Sequence, residues 1–125
     1  MAHESNMNLY TLPASGALSQ YRGVTVDANG RAASPSAGTP VLVGVTQNAS
    51  TAIDSAVTIA LPGSITKLEF AGSTMSVGER FTINTAGRGQ ASTGAAVAGI
   101  ILAGSSGTTG RINTVLLSYS LISTT

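Results

Sequence analysis

The sequence is poor in the residues that usually carry out chemistry. It has no cysteine and no tryptophan among its 125 residues, and its one histidine is His3. Without cysteine, the chain cannot form a disulfide framework or a thiolate metal site. A metal site needs three or four converging ligands, whereas the carboxylates are spread along the chain at Glu4, Asp27, Asp54, Glu69 and Glu79. We therefore expect neither a metal nor a cofactor.

Motifs for catalysis are also missing. The stretch GSSGTTGR (104–111) has no lysine after its glycines, and the strand-like INTVLL follows it, whereas a phosphate-binding loop leads into a helix. The stretch GRGQAS (87–92) departs from the dinucleotide-binding fingerprint at its last glycine. No serine lies in a G-x-S-x-G turn. We predict that the protein is not an enzyme.

Charge is scarce as well. Charged residues make up 9% of the chain, against about 25% in a typical domain. A nucleic-acid-binding face needs clustered basic residues, whereas these occur singly, at Arg22, Arg31, Lys67, Arg80, Arg88 and Arg111. No signal peptide and no apolar run of about 18 residues is visible. We expect no nucleic acid and no membrane, and a surface that is largely covered by partners or held on a larger particle.

What the sequence does have is the alternation of apolar and polar residues that half-buried strands show. The alternating apolar positions are Val24 and Val26; Val41, Val43 and Val45; Val57, Ile59 and Leu61; and Phe81 and Ile83. Glycine and proline separate these stretches roughly every 8–12 residues, as in a β-sandwich or small β-barrel. The pattern predicts a single all-β domain over residues 17–125, with Phe70 and Phe81 in a mainly aliphatic core.

Residues 1–16 do not follow this pattern. They are polar and irregular, with Pro13 near their end and one short apolar stretch, NLYTL (8–12). We interpret them as an extended N-terminal arm. It is either a frayed terminus or a tether that becomes ordered on a partner.

The chain also repeats itself. VDANGR (26–31) and INTAGR (83–88) each lead a strand into a Gly-Arg turn, and the similarity extends over pseudo-repeats at about 24–61 and 81–117. In this alignment Val24 matches Phe81, Val43–Val45 match Ala98–Ile100, and Val57 matches Ile112. We predict two pseudo-symmetric halves of one core, with Gly30 and Gly87 at equivalent turns of positive φ. Replacing Gly87 by valine should cost about 1–3 kcal/mol through backbone strain.

The order of these motifs resembles the bacteriophage capsid cement, or head-decoration, family over residues 17–117. The matching positions are Asp27, Gly30-Arg31, Val43–Val45, Val57–Leu61 with Gly63, Ser76, Gly78–Phe81, Gly87-Arg88, Gly99-Ile100, Leu102 and Ile112–Leu117. Each motif is a degenerate turn glycine between strands, so the weight lies in their order along the chain.

This resemblance implies a β-clip or small β-barrel that binds the outside of a phage head and stabilises the expanded capsid. The partner would be the major capsid protein, contacted by a homotrimer at three-fold or quasi-three-fold positions. The protein would be made in the host cytoplasm and found on the virion, without enzymatic activity. An arm that adds a strand to a neighbour would be anchored by Leu9, Tyr10 and Leu12, with Tyr21 or Arg22 near its base.

Two other functions fit an all-β chain without catalytic groups. One is a carbohydrate- or surface-binding module displayed on a virion, although sugar sites usually offer exposed aromatic rings, and Tyr10 and Tyr119 are the free candidates here. The other is an accessory domain similar to the small β-clip domains of sialic-acid synthases, which would need a catalytic partner domain.

Overall fold

The computed structural model describes residues 8–35, 44–72, 75–92, 97–104 and 108–118. These residues form ten β-strands and no helix. The strands are β1 (Leu9–Pro13), β2 (Gly23–Val26), β3 (Ala32–Ala33), β4 (Gly44–Thr46), β5 (Ala56–Ala60), β6 (Ile65–Glu69), β7 (Arg80–Ile83), β8 (Gly89–Ala91), β9 (Gly99–Ala103) and β10 (Ile112–Leu117). The predicted all-β class is confirmed.

The strands form two five-stranded antiparallel sheets with one topology. The first sheet has the order β1-β5-β4-β2-β3, and the second has β6-β10-β9-β7-β8. Each strand of the second sheet therefore comes five strands after its counterpart in the first. The two predicted halves are present, and each begins with an edge strand, β1 or β6, that the pseudo-repeats at 24–61 and 81–117 did not include.

The strand register corrects one detail of the repeat alignment. Ala56 pairs with Pro13 at one end of β1, and Ile112 pairs with Glu69 at the same end of β6. Ala56 is thus the counterpart of Ile112, and Val57 is the counterpart of Asn113. The sequence alignment matched Val57 to Ile112 because both are apolar, but Val57 faces the core and Ile112 is 45% exposed.

The described part of the N-terminal segment, residues 8–16, is extended but belongs to a sheet of this chain. All five residues of β1 pair with β5. The Leu61 amide donates to the Asn8 carbonyl at 2.7 Å, and the Ala14 amide donates to the Ser55 carbonyl at 2.8 Å. These backbone bonds make β1 the edge strand of the first sheet. Residues 1–7 lie outside the described residues, as do Val41, Val43 and Tyr119.

The buried side chains form two clusters where the sequence suggested one shared core. The first-half cluster contains Ala14, Leu18, Val24, Ala32, Val57 and Ile59. The second-half cluster contains Leu68, Phe70, Met75, Phe81, Ala98, Ile101, Val115 and Leu117, joined by Val45 and Ala60 from the first half. Phe70 and Phe81 are fully buried, as predicted, and their rings meet edge to face at 5.4 Å between centroids.

Candidate interaction site

The first of the two repeated turns closes on the side chain of Asp27. Its Oδ1 accepts hydrogen bonds from the amides of Asn29 and Arg31, both at 2.9 Å. The Gly30 amide donates to the Asp27 carbonyl at 3.1 Å, and Gly30 has φ +76°. Such side-chain-to-backbone bonds stabilise tight turns, and glycine adopts positive φ without steric cost. Arg31 leaves the turn and pairs with Asp54, with 2.8 Å between Nε and Oδ1.

The second turn has the same bonds, with Asn84 in the place of Asp27. Asn84 Oδ1 accepts from the amides of Ala86 and Arg88 at 2.9 and 3.0 Å. The Gly87 amide donates to the Asn84 carbonyl at 2.9 Å, and Gly87 has φ +82°. The Gly87 carbonyl in turn accepts a 2.7 Å hydrogen bond from the Gly23 amide. The second turn therefore contacts the first half. We call the region where the first half (β1–β5) meets the second half (β6–β10) the junction, and the second turn belongs to it.

Glu69 is the charged centre of this junction. Its Oε2 accepts from Arg88 Nε at 2.7 Å within the second half and from Arg22 Nη2 at 3.0 Å across the junction. Burial on its own raises the pKa of Glu69, but the hydrogen bonds and charges of Arg88 and Arg22 outweigh it, so the pKa lies below its usual range. The Glu69 amide also donates to the Tyr21 carbonyl at 2.9 Å. Glu69 thus stays ionised near neutral pH and holds the two halves together.

Two of the residues predicted as capsid contacts, Arg22 and Tyr21, make hydrogen bonds within the chain. Arg22 donates to Glu69 and, through Nη1, to the Ala86 carbonyl at 3.1 Å. Tyr21, with φ +61°, donates its amide to the Thr46 carbonyl at 2.9 Å and accepts from Glu69. Both residues therefore have a structural role at the junction between the halves.

The other three predicted contacts lie on β1. Leu9 and Tyr10 are 52% and 57% exposed, whereas Leu12 packs against the first-half cluster. Because β1 is an edge strand, one side of its backbone has no strand partner among the described residues. An exposed strand edge flanked by Leu9 and Tyr10 is chemically suited to binding another chain.

A second exposed apolar surface was missed at the sequence level. Ile100 and Leu102 on β9 are 38% and 41% exposed, and Leu116 on β10 lies beside Ile100 in the ladder. We call Ile100, Leu102 and Leu116 the second-half outer face. The run GIILA (99–103), which is apolar at every position after its glycine where a half-buried strand would alternate, was the signal that could have revealed it.

The described residues offer little for small-molecule chemistry. No three His, Cys, Asp or Glu side chains lie close enough to hold a metal within the described ranges. An open depression of about 380 Å³ is lined by residues 108–111, of which Arg111 is charged. The described residues 108–111 lead directly into β10 and not into a helix, whereas a phosphate-binding loop leads into a helix N-terminus. The described residues also contain no helix long and apolar enough to cross a bilayer.

Comparison with known proteins gives one informative similarity. The family models and the curated proteins compared with the sequence gave no match. Among solved structures, the chain is similar to the crystal structure of the head fiber gp8.5 N base in bacteriophage phi29, with a TM-score of 0.67 and 18% sequence identity. The similarity covers 90% of this chain and 95% of that one. The chain therefore has the fold of the phi29 head-fiber base over nearly its whole length.

Proposed function

We propose that this protein is a structural component of a bacteriophage head that binds the outside of the capsid and stabilises the expanded shell. The observation that carries the proposal is the similarity in fold to the phi29 head-fiber base, which covers 90% of the chain. The order of turn motifs across residues 17–117 resembles capsid cement proteins and supports the same function. We propose the major capsid protein as partner and a homotrimer at three-fold or quasi-three-fold positions, with no enzymatic role.

The exposed edge of β1 is the surface that we assign to the capsid. An edge strand can pair with an extended segment of another protein through main-chain hydrogen bonds, which demand little of the partner's sequence. Leu9 and Tyr10 add exposed apolar area beside that edge. Few charged side chains would have to be desolvated, because charged residues are 9% of the chain.

Stabilisation of the head follows from selective binding. A protein that binds the expanded lattice better than its precursor shifts the equilibrium towards expansion by its difference in affinity. One weak contact repeated at many positions of a shell adds up to a large total. The protein needs no chemical step for this function, only a rigid fold and a suitable surface.

The test is co-sedimentation of the purified protein with heads from the encoding phage that lack it. We expect binding to expanded heads, little binding to unexpanded heads, and later DNA release on heating when the protein is bound. Leu9→Ser should weaken binding by about tenfold or more if Leu9 is an anchor. Ile53→Ser removes an apolar side chain of similar exposure in the loop before β5 and serves as the matched control.

Equal binding to expanded and unexpanded heads would contradict a stabilising role. Absence of binding to either, combined with binding of the isolated protein to a glycan array, would favour the carbohydrate-binding alternative. Deleting the N-terminal segment is a poor test, because loss of β1 would also uncover the first-half cluster.

A further inference from the structure

In each sheet we call the face that points away from that half's own buried cluster the outer face. Equivalent residues pair on the two outer faces, but they differ in how far they are exposed to solvent. Val45 and Ala60 pair on the outer face of the first sheet, and both are 0% exposed because they pack into the second-half cluster. Their counterparts in the second half are Ile100 and Leu116, which also pair with each other. Ile100 is 38% exposed and Leu116 is half-buried. The first outer face is thus covered by the other half, whereas no residue that the structure describes covers the second-half outer face in the same way.

On the opposite face of each sheet, the second half is the covered one, and the equivalent positions of the first half are exposed. Thr66, on the inner face of β6, is 4% exposed and accepts a 2.8 Å hydrogen bond from Gln47 of the first half. Its counterpart on β1 is Tyr10, which is 57% exposed. Ile83 packs against the second-half cluster, whereas its counterpart Val26 is 40% exposed. We call Val26 and the turn at 27–31 the first-half rim; Tyr10 stays with the edge of β1 that we assign to the capsid.

We propose that a second copy of this chain covers both surfaces, with the first-half rim of one copy docked on the second-half outer face of the next. The contact would orient the two faces as in the internal junction. Because the first-half cluster is already buried within its own half, the docked copy would cover the rim of that cluster and not the cluster itself. The contact uses different patches on the two copies, so it is heterologous, and it closes into a ring when the rotation between copies allows. The inference rests on the proposed function in one respect: it names the two faces through which the proposed homotrimer forms.

Charge supports this pairing. Within the chain, Arg22 of the first half pairs with Glu69 of the second. Glu69 also pairs with Arg88 of its own half, so this carboxylate holds the two arginines side by side. The counterpart of Glu69 is Pro13, so no carboxylate would bridge at this point between copies. The counterparts of Arg22 and Arg88 are Glu79 and Arg31, which carry opposite charges and would pair directly. Arg31 is already paired with Asp54, so it would sit between two carboxylates as Glu69 sits between two guanidinium groups.

The contact between copies differs from the internal junction at one point. Inside the chain, Ile83 lies so close to Gly23 that a Cβ there would be 2.8 Å from Ile83 Cγ2. The counterpart of Gly23 is Arg80, which is exposed. The smaller side chain of Val26 would therefore rest on the aliphatic stem of Arg80, and the two copies would lie farther apart there. A weaker, reversible contact is the expected consequence.

The experiment is analytical ultracentrifugation of the full chain and of three variants. Ile100→Lys places a charge on the second-half outer face, and Val26→Lys places one on the first-half rim. Thr108→Lys adds the same charge on an exposed turn and serves as the control. We expect the natural chain and the control to self-associate, and each of the other two variants alone to lose association by about tenfold or more in dissociation constant.

An equimolar mixture of Ile100→Lys and Val26→Lys decides the geometry. Each variant keeps one intact face, so the mixture should form heterodimers through a single junction, which also shows that both variants are folded. A mixture that remains monomeric, or a natural chain that is monomeric at high concentration, would overturn the proposal. Head binding by a monomeric natural chain would reject this inference and leave the proposed function standing, whereas self-association without head binding would do the opposite.

Discussion

The amide of Gly23 donates a 2.7 Å hydrogen bond to the carbonyl of Gly87, which ties the second turn to the start of β2. A Cβ on Gly87 would lie 2.7 Å from the Gly23 carbonyl oxygen, whereas a Cβ on Gly30 would meet nothing within 4 Å. Two turns with the same backbone geometry therefore differ in their surroundings, because only one of them lies between the halves. A substitution at Gly30 therefore changes stability through backbone strain alone, whereas one at Gly87 adds a steric clash.

Replacement of each glycine by alanine should show the difference. Gly30→Ala should cost about 1 kcal/mol, because alanine is strained at positive φ. Gly87→Ala should cost about 3 kcal/mol, because the strain is joined by overlap with a backbone atom that cannot move alone. The free energy of unfolding in urea, measured for both variants and the natural chain, checks the prediction. Equal losses would mean that the halves do not touch at Gly87.

The sequence predicted this pair of turns because their chemistry is local. An Asp or Asn whose side chain accepts from the backbone, followed after two residues by a glycine, specifies the turn without help from distant residues. The duplication was visible in the sequence from the repeated Gly-Arg turn, and the structure adds that Asp27 and Asn84 have the same role in the two turns. The all-β class was equally accessible, since period-two alternation depends only on neighbours along the strand.

The register of β5 and β10, and the strands β1 and β6, were not accessible in this way. A buried position can stay buried while its side chain changes in size or polarity. In the two halves, a larger side chain at one buried position is compensated by a smaller one at the position that it contacts. Ala14 bridges to Ala32 in the first half, where the second half has Phe70 bridged to Gly89. A Cβ on Gly89 would be 2.7 Å from the Phe70 ring. Such compensation lies between distant residues, and one sequence does not display it.

The candidate site was predictable only in part for the same reason. Leu9 and Tyr10 stood out as an apolar stretch in polar surroundings, and the structure leaves them exposed. Arg22 and Glu69 are 47 positions apart, and nothing in the sequence indicates that they meet. The prediction of Arg22 as a capsid contact was made without this partner, which only the fold reveals.

A second pair of glycines is required for space rather than for φ. A Cβ on Gly44 would clash with the Ala60 carbonyl oxygen, and a Cβ on its counterpart Gly99 would clash with the Leu116 carbonyl oxygen. We expect Gly44→Ala and Gly99→Ala each to cost about 3 kcal/mol or more, because neighbouring strands would have to separate. Gly16→Ala meets nothing within 4 Å and should be neutral or slightly stabilising. Thermal unfolding followed by circular dichroism would test all three variants.

Asn113 is a buried polar residue of the second half, at a position where the first half has an apolar residue. It is 2% exposed, and neither its Oδ1 nor its Nδ2 has a hydrogen-bond partner among the described residues. Its counterpart is Val57. Asn113→Val should therefore stabilise the protein by about 1 kcal/mol, because it removes two unpaired buried groups. The reverse change, Val57→Asn, should destabilise it by about 2 kcal/mol or more. A loss of stability in Asn113→Val, measured by urea unfolding, would show that the amide is satisfied.

Glu69 should make the stability of the protein depend on pH. Its pKa in the folded chain is lowered from the ordinary value of 4.5, since burial, which raises it, is outweighed by hydrogen bonds from Arg88 and Arg22 and by their charges. A lowered pKa means that the stabilisation is fully present above that ordinary value and is lost as the pH falls through the folded value. Glu69→Gln, which resembles the protonated acid, should be less stable than the natural chain by about 1 kcal/mol near neutral pH.

The difference between the natural chain and Glu69→Gln should shrink as the pH is lowered from about 7 to about 3, and urea unfolding at several pH values measures it. Asp54→Asn is the matched control. Its carboxylate also has a lowered pKa, owing first to the hydrogen bond from Arg31, but the Asp54 side chain is 60% exposed against 18% for Glu69. Solvent screening should leave Asp54→Asn with a smaller loss of stability. A difference for Glu69→Gln that stays constant with pH would mean that the two arginines hold the carboxyl equally well in its neutral form.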